Sequence, residues 1–301
     1  MRPILRPGSH VLRRDDHELQ VGLDPRRAVV LPDEPHVRAC LDRLGRSARV
    51  DEYDAPATLD LLLAHGLVLD GSGLMPLIPT YRDGRDGPTT VTRAAVAALA
   101  RSSGDEAGNL LAARARTRVS VVPCGNSVSA GLADDLTSLV REAGLEVRST
   151  GRSTGAVDVV ALVGVGEPQR EATDDWMRAG TAHLPVRLTE GSATVGPFVV
   201  PGQTACLRCV DAHHTDADPS WPLLVAQYAS LASGERADGV PEPVDGMVAG
   251  VALAWAARDL ASYAEGRRPS TWSTTIRFDP HLCSIETQSW LRHPACGCSW
   301  G

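Results

Sequence analysis

Positive charge is in short supply in this chain. Over 301 residues it carries 30 Lys and Arg against 37 Asp and Glu, a formal net charge of -7 with a pI near 5.7. It therefore offers no sequence-wide basic surface for nucleic acid or for anionic lipid. The arginines that do gather, Arg2, Arg6, Arg13 and Arg14, are interrupted by Asp15, Asp16 and Glu18 and read as a solvated hairpin face. Long hydrophobic runs are missing too. The most apolar helix candidate, Met247 to Leu260, is too short to span a bilayer and carries Arg258 and Asp259 inside its pattern, so no membrane partner is expected. No signal-peptide pattern stands at the N-terminus, and together with the seven cysteines this points to a reducing, cytoplasmic setting. Nor is there a nucleophile with its base: Ser127 and Ser129 have no histidine close by in sequence, and Cys283 has no activating context. No catalytic residue is assigned.

What the chain does have is cysteine in two tight pairs, Cys206-Leu-Arg-Cys209 and Cys296-Gly-Cys298. Two thiolates from each short turn complete a tetrahedral set for a closed, structural zinc with no position left for water. Closing the loop from Val210 to Ala295 costs roughly 4 kcal/mol by the logarithmic rule, whereas structural zinc contributes about 10 to 16 kcal/mol of apparent folding free energy in small peptides. Metal binding can offset the closure. Alternatives stay open at this level: a redox CxxC, a disulfide, or replacement of one cysteine by His213, His214 or His293. The remaining Cys40, Cys124 and Cys283 are expected to be buried free thiols.

Length allows two domains. Residues 1–72 show three short strands, His10 to Arg14, Glu18 to Gly22 and Arg27 to Leu31, joined by polar turns. Two helices follow, one from Pro35 with Val37, Cys40, Leu41 and Leu44 in register, and one from Pro56 with Leu59, Leu62 and Leu63, ending at Gly66; Leu67 to Leu69 reads as a returning strand or wing. The pattern is that of a winged helix, a fold used for DNA and for peptides. Residues 73–117 read as a connector, rich in Gly and Pro up to Gly87 and then helical over Val91 to Ala100 and Asp105 to Arg116. Residues 118–301 form an α/β domain of Rossmann-like type. Strands Val119 to Pro123, Leu145 to Arg148 and Val157 to Val163 alternate with a helix from Ser129 to Ala143, which predicts a doubly wound parallel sheet.

Such a sheet invites a phosphate-cradling turn, but the first one reads Pro123-Cys124-Gly125-Asn126-Ser127-Val128-Ser129-Ala130-Gly131. Only Gly125 and Gly131 fall near the required places, so the turn is degenerate. Asp158, opening the third strand, can orient a substrate or sit as a solvated edge residue. The run Gly164-Val165-Gly166-Glu167 stands where such sheets bind ligands, with no positive residue beside it in sequence.

The stretch Gly196-Pro197-Phe198-Val199-Val200-Pro201-Gly202-Gln203-Thr204-Ala205-Cys206-Leu207-Arg208-Cys209, then Asp218-Pro219-Ser220-Trp221-Pro222 and the terminal His293-Pro294-Ala295-Cys296-Gly297-Cys298, resembles the ThiF-like (ubiquitin-activating-type) proteins of azole-peptide and bacteriocin biosynthesis. The likeness extends to the N-terminal unit, which is similar to the RiPP recognition element. It implies a winged-helix peptide-recognition domain ahead of a ThiF-like domain with a structural zinc on Cys206, Cys209, Cys296 and Cys298. It also implies leader binding between the third strand and the last helix, here Arg27, Val29 and Leu31 with Leu59, Leu62 and Leu63. By the same resemblance the function is non-catalytic capture of a precursor (leader) peptide for a YcaO-type cyclodehydratase. Gly246 and Gly250 resemble the family helix after the first knuckle, and their spacing allows close packing within one chain or across a homodimer. Active adenylating members carry an intact glycine turn and an Asp-Asn after the third strand. This chain has Gly164-Val165 there, so ATP is not expected as a cofactor. Two other functions remain, a divergent ATP-dependent adenylating enzyme and a winged-helix transcription regulator, the latter opposed by a Pro56 to Gly66 segment without Lys or Arg.

Overall fold

The computed structural model describes residues 2–46, 55–75, 91–148, 157–232 and 240–299. Much of the glycine- and proline-rich connector, residues 76–90, lies outside them. The chain divides into two compact units, Met1–Ala112 and Ala113–Gly301.

In the first unit, β2 (Val11–Arg13), β3 (Glu18–Val21) and β4 (Val29–Pro32) form an antiparallel sheet in that order. The β2–β3 turn closes because Asp15 Oδ1 accepts the N–H groups of His17 and Glu18, each at 2.8 Å, the local bonding that makes aspartate a turn former. Helix α1 (Pro35–Gly45) starts on a proline and buries Val37, Cys40, Leu41 and Leu44. Helix α2 (Pro56–Ala64) also starts on proline and buries Leu62. These side chains pack with Leu19, Val21, Val29 and Leu31 into one core.

One strand has no counterpart in the sequence reading. β1 (Pro3–Leu5) pairs antiparallel with β5 (Val68–Asp70), and the Arg6 guanidinium is half-buried rather than solvated, donating to the carbonyls of Gly66 at 2.6 Å and Arg101 at 2.9 Å. Helices α3 (Arg93–Ser103) and α4 (Ala107–Arg116) share a core with Ile4 and Leu69 through Val96, Leu99, Leu110 and Leu111.

The second unit is built on a seven-stranded sheet, and it is mixed rather than wholly parallel. β6 (Arg118–Cys124) lies between β7 (Glu146–Val147) and β8 (Val159–Val165), and β9 (Ala182–Thr189) follows β8, all parallel. β10 (Ser192–Val195), β11 (Thr274–Phe278) and β12 (Ile285–Ser289) then continue antiparallel. The change of direction is local chemistry: Glu190 and Gly191 both hold positive φ, 53° and 78°, the conformation of a two-residue hairpin turn, which cannot join parallel strands.

Two helices, α5 (Val128–Glu142) and α9 (Gly246–Ala264), cover one face of this sheet. Leu132, Leu136 and Val140 of α5 meet Leu253, Ala256 and Leu260 of α9 over Val159, Ala161, Val163, Leu184 and Val186. Asp259, inside the apolar run of α9, is buried but satisfied by the N–H and hydroxyl groups of both Ser270 and Thr271, as a buried carboxylate must be. Gly246 and Gly250 are exposed with open space around them, so packing within the chain does not require their small size. No helix among the described residues is long and apolar enough to cross a membrane.

Candidate metal centre and the carboxyl end of the sheet

Helix α7 (Leu207–Ala217) begins directly after Cys206, whose carbonyl accepts the N–H groups of Cys209 and Val210. Both thiols therefore stand on the first turn of a helix, where the backbone dipole favours a thiolate. The second pair sits on a turn in which the Cys296 N–H donates to His293 O at 2.9 Å. Arg292 ties this turn in place, one Nη donating to Gly202 O and the other to Cys298 O, each at 2.7 Å.

The four sulfurs converge. Cys206 Sγ lies 3.7 Å from the sulfurs of Cys209 and Cys296, and Cys209 Sγ lies 3.2 Å from that of Cys298, with all four within 4.8 Å of one another. Disulfide sulfurs stand about 2.05 Å apart, whereas a tetrahedron with metal–sulfur bonds of ~2.3 Å has edges of about 3.8 Å. The cluster can thus hold a metal ion, and its donor set is that of a thiophilic tetrahedral ion.

Electrostatics point the same way. The bond to Cys209, together with burial, pushes the Cys206 thiol up, and burial pushes Cys296 up to about 12. Cys209, which accepts from Cys206, is pulled down to about 4. Four thiolates become tolerable in one buried spot only around a cation. Backbone N–H groups nearby favour the thiolate form of Cys206, Cys209 and Cys296, the kind of support that a ligated thiolate uses.

The nearby histidines serve other ends. His293 Nδ1 accepts the Ala295 N–H at 3.2 Å, leaving Nε2 to donate to Asp216 at 3.0 Å. His213 Nε2 meets Leu291 O at 3.0 Å. His213, Asp216 and His293 are close enough to share an ion, but that tautomer of His293 has no lone pair left on Nε2, so the trio acts as a hydrogen-bonded strut.

The turn after β6 packs closely against the end of β8. Gly125 holds φ at 93°, and a Cβ there would lie 2.5 Å from Val165 O. Its glycine is demanded by the passing end of β8, and a phosphate is not needed to explain it. Gly131 lies exposed on α5 with open space around it. Asp158 is not brought to this turn at all. It pairs bidentately with Arg118, at 2.8 and 3.0 Å, at the opposite end of β8, a strand about 23 Å long. The three positions expected to form one degenerate site are therefore separated.

Glu167 is the surprise at the carboxyl end. No positive residue adjoins it in sequence, yet Arg187 donates to it at 2.9 and 3.1 Å and Arg170 at 2.9 Å, while Arg170 also holds Asp211 at 2.6 and 2.9 Å. Burial alone would raise both carboxyls, but the two arginines outweigh it for Glu167, as Arg170 does for Asp211, and hold them low. Close by, burial pushes the Cys124 thiol up to about 12, so it is no ready nucleophile. Cys283 is exposed and Cys124 half-buried, and only Cys40 of the three remaining cysteines is buried as expected. In the first unit, Val29, Leu31 and Leu62 are core residues, Leu59 is partly buried, and Arg27 lies exposed in the turn before β4. On β4 and α2 the large apolar side chains left accessible are those of Val30, Leu61 and Leu63, and elsewhere in the unit Val11 and Leu23 are exposed too.

No family model and no curated protein matches the chain. Solved structures do. The heterocyclase TruD is similar at a TM-score of 0.68 with 15% identity over 99% of this chain, and a heterocyclase in complex with substrate and cofactor at 0.66 with 16% identity over 98%. The chain spans only 42% and 39% of those proteins. MccB of E. coli, determined with MccA, is similar at 0.58 with 13% identity, each chain covered in full. The fold is therefore the one these proteins share.

Replacing Cys206 or Cys298 by Ser should remove bound metal and lower the melting temperature, read by elemental analysis and calorimetry on the same preparations; unchanged metal in both variants would contradict the assignment. Gly125→Ala should destabilise by more than about 1 kcal/mol, while Gly131→Ala should stabilise by about 0.5–1 kcal/mol through helix propensity. Denaturant titration distinguishes the two.

Proposed function

We propose that the chain is a non-catalytic scaffold in modified-peptide biosynthesis, which captures a precursor peptide through its leader and presents it to a YcaO-type cyclodehydratase. Its first unit serves as a winged-helix recognition element, and its second is a ThiF-like domain held by a structural zinc on Cys206, Cys209, Cys296 and Cys298. The likeness to two heterocyclases and to MccB determined with MccA supports the setting.

One observation carries the peptide role: the open edge of β4 beside α2. The Asp33 N–H donates to His17 O, which sets the alternation so that Leu31 and Val29 bond to β3 while Val30 turns its N–H and C=O outward. Val30 on the edge strand and Leu63 on α2 are 39% and 37% exposed. A leader strand added here gains backbone bonds from Val30 and lays apolar side chains against Leu63. Arg27 stands at the entrance, and Val29, Leu31, Leu59 and Leu62 support the groove from beneath.

The second reading, a divergent adenylating enzyme, draws on structures of MccB with ATP and with AMPCPP and MccA. The degenerate Gly125 turn, whose glycine is explained by the close approach of Val165 O, favours the scaffold. Calorimetric titration with magnesium and ATP separates the two readings: saturable binding would sink the scaffold and its absence supports it. For the peptide role, Val30→Pro removes the outward donor and leaves the ladder bonds intact, as proline on an edge strand does. Fluorescence polarisation with the leader of a precursor encoded beside this gene should show at least ~10-fold weaker binding, about 1.4 kcal/mol; equal affinity in the variant would contradict the site.

A further inference from the structure

On the sheet face away from α5 and α9, α7 and α8 (Trp221–Ala232) roof a cavity of about 400 Å³ over β9 to β12. It lies apart from both features described above, since no cysteine of the cluster lines it and neither does Gly125. Its floor is a row running straight across four strands, Arg187, Thr194, Arg277 and Glu286. The wall is aromatic: the His214 ring is 4.4 Å from that of Trp221 and 5.1 Å from that of Trp290, centre to centre.

Charge decides against an ionic ligand. Three arginines line the cavity against four carboxylates, and the buried ones, Arg170, Arg187, Glu167 and Asp211, are committed to one another. The remainder, exposed Arg277 against exposed Glu190 and Glu286, leaves no positive charge in excess to recruit a phosphate and no buried carboxylate cluster to hold a metal. Burial holds His214 below its ordinary pKa, so near neutral pH its ring is uncharged and presents one donor and one acceptor. The rings of Trp221 and Trp290 are tilted to that of His214 by 32° and 59°, and a planar guest gains most from offset or edge-to-face contact with such faces.

Hydrogen bonding supplies the polar contact. The Arg187 side chain is only 8% exposed; one of its Nη atoms serves Glu167 and the other Gly196 O, yet its Nε has no partner among the described residues. A buried donor left in that state needs an acceptor. We propose that this cavity binds an uncharged, planar heteroaromatic ring, stacked among Trp221, His214 and Trp290, with a ring heteroatom or attached carbonyl accepting from Arg187 Nε. Such a ring can be an azole carried by a processed peptide or a nucleobase. The site is distinct from leader capture, which belongs to the other unit.

The test uses the full chain with thiazole-4-carboxamide and adenosine as ring probes and cyclohexanecarboxamide as the non-planar control, read by tryptophan fluorescence and saturation-transfer NMR. At least one ring probe should bind ~10-fold or more tighter than the control, a difference of about 1.4 kcal/mol, and the stronger of the two identifies the source of the ring. Leu224→Trp, at a half-exposed position on the cavity rim, and His214→Ala should each weaken that binding by a similar factor with helix content unchanged. The proposal fails if neither ring probe exceeds the control, or if both variants bind the ring as the parent does. Leader binding on the same preparations reports on the other unit, so a failure here is distinguishable from failure of the scaffold reading.

Discussion

The convergence of four cysteine sulfurs is the constraint on which the second unit depends. Cys206 and Cys296 are 90 positions apart, yet their sulfurs stand 3.7 Å from each other. Between them lie both crossover helices, the long helix α9 and the last two strands of the sheet. Fixing Cys206 and Cys209 fixes the first turn of α7, and with it the direction in which Asp211, His213 and His214 project. A train of rings then continues from this point: Trp221, His214, Trp290, His213 and His293 contact one another in succession at centroid distances of 4.4 to 5.8 Å. The last of them accepts the Cys296 N–H on its backbone carbonyl at 2.9 Å. Cysteine cluster and aromatic cavity are thus two ends of one packed assembly.

The carboxyl end of the parallel strands shows what the rest of the sheet has become. In a doubly wound sheet this is where ligands enter, and the space is usually kept by glycine and open backbone N–H groups. Here Val165 O fills the place beside Gly125, and Glu167 turns inward to two arginines. A buried charge network of this kind is costly to break, since removing one partner strands the other. It holds β8, β9 and α7 in register and neutralises its own four charges, two arginines against two carboxylates.

Much of this was legible in the sequence, and the parts that were not share a cause. Proline at 35 and 56 with leucines at helical spacing marks α1 and α2, and the two cysteine pairs mark themselves. Pairs that depend on distance in sequence leave no such trace. Nothing in Pro3–Leu5 points to Val68–Asp70, and Glu167, Arg170, Arg187 and Asp211 have no common spacing. The mixed sheet was missed because Glu190 and Gly191, a two-residue turn in the positive-φ region, sit in a stretch without a clear helical or strand period. In the first unit Val29, Val30 and Leu31 alternate by the period of two, so the exposed side chain is the middle one while its neighbours belong to the core.

The central claim is that one tetrahedral ion with four thiolate ligands closes the second unit. X-ray absorption at the zinc edge of the purified full chain tests it most directly. The account predicts a single shell of four sulfurs at about 2.3 Å with no nitrogen or oxygen. A shell containing imidazole, or cysteines recovered as disulfides in metal-free folded protein, would contradict it.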